Sequence, residues 1–125
     1  MKLKIKKTQV KHKSKLKICD DLWSKLIKKN GVCERCGKDK YVQAHHIIPR
    51  TCYPLRHDII NGVALCRACH LYWAHKDALE FANWIKHFRD LDYLESRRHS
   101  QTKNDYEMTR IYLESVLSQN KGELK

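Results

Sequence analysis

A chain of 125 residues with 42% hydrophobic content supports one compact domain with a modest core and argues against two independent ones. Its formal charge of +12, from 26 basic against 14 acidic residues, makes a polyanion the expected partner and puts nucleic acid ahead of a membrane surface. No apolar run approaches the roughly 20 residues a bilayer crossing needs, and the N-terminus lacks an apolar signal core. The expectation is therefore a cytoplasmic protein, in which paired cysteines serve as metal ligands more often than as disulfides.

In chain order, residues 1–17 come first. They carry Lys2, Lys4, Lys6, Lys7, Lys11, Lys13, Lys15 and Lys17 with no acid among them. Self-repulsion makes this stretch a basic nucleic-acid-binding arm, although Leu3 and Ile5 alternating with lysines also fit a short edge strand guarded by charge. Residues 18–125 read as one domain. Asp20 or Asp21 caps a helix with Leu22, Trp23, Leu26 and Ile27 on its apolar face, stopping at Asn30-Gly31. Residues 41–45 and 60–65 suit two strands, and Pro49 and Pro54 mark the segment between them as a long functional loop. Residues 67–75 read as a helix beginning within a cysteine pair. Phe81, Trp84, Ile85 and Phe88 follow at core-forming spacings, and a last helix over 104–118 would bury Tyr106, Thr109, Leu113 and Val116.

Cys33-Glu-Arg-Cys36 and Cys66-Arg-Ala-Cys69 are two Cys-x-x-Cys knuckles, and Gly37 relaxes the turn of the first. Each knuckle can present two thiolates to one tetrahedral ion, so together they predict a four-cysteine structural zinc site. Such a site is closed, and any catalytic metal must sit elsewhere. Cys19 and Cys52 fall outside the pattern and read as ordinary thiols.

Between the knuckles lie Ala44-His45-His46-Ile47-Ile48-Pro49 and Asn61-Gly62-Val63-Ala64-Leu65-Cys66, and His70 follows the second knuckle directly. Adjacent histidines at a strand end point to opposite faces, so one can hold a metal while the other faces a different pocket. From Cys33 to His70 the chain resembles the HNH endonucleases, especially the phage-encoded branch. The resemblance implies an α+β fold: a small ββα-metal, treble-clef-like core over about 33–76, flanked by helices, with C-terminal helices over 77–119. It implies His45 and His70 as ligands of a catalytic divalent ion, His46 as general base, and Asn61 as the residue that holds the loop and orients that base through its side chain or carbonyl. The implied chemistry is one-metal hydrolysis of DNA with Mg²⁺ or Mn²⁺, Ni²⁺ being conceivable, leaving 5′-phosphate and 3′-hydroxyl ends.

Some members of the family bring a third histidine one helical turn after the residue matching His70, but that position here is Ala74. His75 is one residue late and reads as a ligand, a DNA contact or a solvated side chain. Arg50 and Arg67 are placed to grip a phosphate near the cleft, while Tyr72 and Trp73 read as core first, with a stacking role as the alternative. The partner implied is double-stranded DNA, with phage packaging or replication proteins as further partners and a monomer or weak dimer as the assembly. Two rival readings remain open: a non-catalytic zinc-dependent DNA-binding module, and a nuclease of the same fold acting on RNA.

Overall fold

The structure, a computed structural model, describes residues 14–123. The first helix, α1 (Lys15–Ile27), starts earlier than the aspartates suggest, because the Ser14 hydroxyl accepts the Lys17 N–H as its cap. Lys15 and Lys17, assigned from sequence to the arm, are thus helical, and Lys17 pairs with Asp21 one turn on at 3.2 Å. The other arm lysines, Lys2 to Lys13, and the edge strand considered for Leu3 and Ile5 lie outside the described residues.

Two strands, β1 (Val42–His46) and β2 (Gly62–Cys66), pair antiparallel in the register Val42↔Cys66 to His46↔Gly62. The intervening loop contains 3₁₀ turns at Tyr53–Leu55 and Ile59–Asn61. Every residue of β2 is buried, which explains its unbroken apolar run. On one face Val63 and Leu65 pack with Trp73, Phe81 and Ile85. On the other, a separate cluster of Cys19, Trp23, Leu26 and Leu113 takes in Ala44. The free edge of β2 is covered too, since the Glu34 N–H donates to the Ala64 carbonyl at 2.8 Å and the Glu34 carboxylate accepts the Ala64 N–H at 2.8 Å.

After β2 comes α2 (Arg67–Cys69), which runs into a wider helical turn over His70–Ala74. Then follow α3 (Ala78–Ile85), α4 (Leu91–Arg97) and α5 (Tyr106–Glu123). The helices expected over 77–119 include α4, which has no separate bounds in the sequence reading and which Asp90 caps through Tyr93 N–H at 2.9 Å, and the last helix runs beyond the expected residue 118. Phe88 lies beyond α3 and is 57% exposed, so it is not core. Among the predicted contacts of α5, Leu113 is buried while Tyr106, Thr109 and Val116 are half-buried. Among the described residues no helix is long and apolar enough to cross a membrane.

Gly62 shows how tightly α1 sits on the hairpin. A Cβ there would lie 2.3 Å from Ile27 Cδ1 and 2.7 Å from Trp23 Cζ2. Gly62→Ala should therefore push α1 outward and cost about 1–3 kcal/mol, read as a lower urea midpoint. Stability equal to wild type would contradict this seating.

Candidate active site

The two knuckles bring Cys33, Cys36, Cys66 and Cys69 together, with their sulfurs within 4.8 Å of one another. Burial works to raise the Cys33 thiol, but N–H groups of Cys36, Cys66 and Arg35 outweigh it and draw the thiol down to about 7. Cys69 is pushed up to about 12, chiefly by burial. Arg35, stacked on the Trp73 ring at 3.9 Å, directs a guanidinium N–H to Cys69 Sγ at 3.6 Å. Four convergent sulfurs, one already inclined to ionise and one facing a cation, fit a tetrahedral zinc ion whose positive charge would favour all four thiolates.

A second cluster gathers His45, His70 and His75, again with ligand nitrogens within 4.8 Å of one another. His45 comes from β1 and the other two from either end of the wide turn. There the His75 N–H bonds back five residues to the His70 carbonyl at 3.2 Å, rather than four. The extra residue per turn brings position 75, instead of position 74, onto the face of His70. Their Nε2 atoms stand 3.0 Å apart, so the late spacing of His75 is absorbed by the backbone.

Gln43 was not anticipated. It lies two residues before His45 and so on the same strand face, a parity the sequence already held. Its Oε1 accepts a hydrogen bond from His70 Nδ1 at 2.5 Å, which leaves the Nε2 lone pair of His70 free for an ion. Burial, reinforced by the neighbouring His70 and His75, pushes His45 down to about 3; His70 is lowered by burial and by His75. Protons therefore compete little for the His45 and His70 nitrogens near neutral pH, and imidazole nitrogens gathered in this way suit a divalent ion. Gln43→Ala should weaken metal affinity about 10- to 100-fold, measured by titrating Mn²⁺, with the zinc content unchanged. An unaltered affinity would remove Gln43 from this role.

His46 points the other way. Its ring stacks on Trp23 of α1 at 3.9 Å between centroids and 9° between planes, and its Nε2 donates to the Arg56 carbonyl at 2.9 Å. Trp23 is fixed in turn by Nε1–H donation to the Asp58 carbonyl at 2.8 Å. Arg56 is held by Asp20, also on α1, through two 2.8 Å bonds, and His57 Nε2 reaches the same carboxylate at 2.7 Å. Burial works to raise the Asp20 carboxyl, but bonds from Arg56 and His57 outweigh it and hold it below the ordinary range. Burial likewise lowers His46, against the carbonyl bond that raises it.

Asn61 is fully buried. Its Oδ1 accepts the Ile48 N–H at 2.7 Å, its Nδ2 donates to the carbonyls of Ile48 and Leu55, and its own carbonyl accepts the Ile47 N–H. These bonds close the long loop on β2, and the carbonyl that holds the His46 ring is that of Arg56, not Asn61. Sequence reasoning missed Trp23, Asp20, Arg56 and His57, because their roles depend on where α1 lands.

Arg50 lines a cavity of about 670 Å³ with His45, His46, His70 and His75, and also a smaller one between His46 and α1. Arg67 does not join it: its side chain lines a different cavity with Tyr41 and Tyr72. Cys19 is buried, with its Sγ donating to the Tyr106 carbonyl, and Cys52 donates to that of Arg98.

Residues 33–76 match the family model described as HNH endonuclease. No curated protein and no solved structure matches the chain.

Proposed function

We propose, from the match of residues 33–76 to the HNH endonuclease family model, that this chain is a metal-dependent endonuclease that hydrolyses phosphodiester bonds in double-stranded DNA. The observation that carries the proposal is the division of labour at the end of β1. His45 turns to the imidazole cluster, while its neighbour His46 is kept out of that cluster by the Trp23 stack.

Because His46 Nε2–H donates to a carbonyl, the proton-free nitrogen of the ring is Nδ1. That atom takes a proton from water as the oxygen attacks phosphorus. The P–O3′ bond breaks and the departing O3′ takes a proton from solvent, leaving a 3′-hydroxyl and a 5′-phosphate. His45, His70 and His75 would hold a divalent ion, which when bound would supply positive charge to the phosphate and the leaving oxygen. Three nitrogen donors suit Mn²⁺ or Ni²⁺ better than Mg²⁺, which prefers oxygen ligands. Arg50, facing both cavities beside His46, holds the scissile phosphate through its planar fork.

Supercoiled plasmid incubated with the zinc-loaded protein and Mn²⁺ should yield nicked or linear DNA that disappears when the chelator is in excess. Intact plasmid under every divalent ion would leave a non-catalytic binding module. The pH profile supplies a further prediction. A base must be deprotonated, and a lowered His46 sheds its proton at lower pH than a free imidazole. The rate should therefore climb with an apparent pKa below about 6.5 and be level above neutrality. A rate still climbing above about pH 8 would point to a different base.

A further inference from the structure

The knuckle end of the hairpin carries a surface that the hydrolytic site does not use. Tyr41 and Tyr72 are 73% and 69% exposed, and both line a cavity of about 570 Å³ together with Lys38, Lys40 and Arg67. Lys76 stands 5.4 Å above the Tyr72 ring. Against these cations the cavity has one acid, Asp39. Tyr72, expected from sequence in the core, faces out because the wide turn buries Trp73 and Ala74 instead. Tyr41 sits at φ 56, a left-handed conformation that costs a side-chain-bearing residue about 1–2 kcal/mol. With the ring 73% exposed, burial of the Tyr41 side chain does little to offset that cost.

We propose that this surface binds an unstacked base in a single-stranded DNA segment flanking the duplex. The inference rests on the reading of the chain as a DNA nuclease. Duplex DNA keeps its base faces stacked and offers exposed tyrosines nothing to stack on, whereas a single strand presents a π-face at every residue. The surrounding lysines and arginine meet the backbone of the same strand. Tyr41 precedes the start of β1, and His45 lies four residues further along. At about 3.3 Å per residue the separation is about 13 Å, or about four nucleotide steps of duplex. The preferred substrate is then a duplex with an overhang, flap or gap a few nucleotides from the cut.

The test compares a blunt duplex with the same duplex bearing a short single-stranded overhang, by fluorescence anisotropy of the full zinc-loaded chain without added divalent ion. The overhang should bind about 5- to 150-fold more tightly, the value of one stacked base. The double variant Tyr41→Ala, Tyr72→Ala should lose that preference while keeping blunt-duplex affinity, plasmid cleavage and melting temperature. Tyr41→Phe, Tyr72→Phe should retain it, because the ring and not the hydroxyl does the stacking. Equal wild-type affinity for the two duplexes, or a preference that survives the alanine pair, overturns the proposal. Cleavage with equal affinities would sink this inference and spare the nuclease; a tyrosine-dependent preference without cleavage in Mn²⁺ would do the reverse.

Discussion

Replacing His46 with alanine should lower plasmid cleavage by about 10²- to 10⁴-fold, the usual worth of a positioned general base. His46 stacks on Trp23, so truncation also opens space beside α1. His46→Gln, closer in volume, is therefore the companion variant, and both should keep zinc content and DNA affinity near wild type. Added imidazole should restore part of the alanine variant's rate by entering the vacated space. Full activity in both variants would dismiss His46 as the base. A variant that loses zinc or fails to fold leaves the glutamine form to decide.

The largest effect on stability should come from the sulfur cluster. Structural zinc contributes an apparent ~10–16 kcal/mol in small metal-organised domains, as much as or more than the ~5–15 kcal/mol of net stability a domain possesses. Cys33 precedes β1, whereas Cys66 and Cys69 end β2 and α2, so the ion would tie both ends of the hairpin together. Cys66→Ser, or prolonged treatment with a strong chelator, should abolish the near-ultraviolet signal of Trp23 and Trp73, with recovery on adding zinc. Brief mild chelation that strips only the imidazole cluster should stop cleavage and leave the fold intact. A chain that stays folded and cooperative with no zinc bound would show that the core of Val63, Leu65, Phe81 and Ile85 suffices alone.

What could be read from the sequence was local. The cysteine spacing and the opposed faces of His45 and His46 follow from turn and strand geometry over a few residues. The apolar stripe of α1 was legible, but not its destination, so the Trp23 stack and the Asp20 bonds to Arg56 and His57 stayed hidden. A backbone carbonyl leaves no mark on residue identity, which is why the resemblance implies Asn61 as the partner of the His46 ring and the structure has the Arg56 carbonyl there. His75 looked out of register because a regular four-residue turn was assumed, whereas the backbone widens there to five. Apolar character and helical spacing suggest an inside position for Tyr72 and Phe88, yet one partner each, Lys76 over Tyr72 and Trp84 beside Phe88, leaves both rings mostly exposed.

The helix that cradles His46 lies before the family segment, and it is itself anchored to Leu113, with Val116 and Leu117 packed alongside, on the far C-terminal helix. Grafting residues 33–76 onto another protein would thus transplant the sulfur and imidazole clusters but leave the His46 ring without its backing. A chimera built to move the chemistry must carry both terminal helices with it.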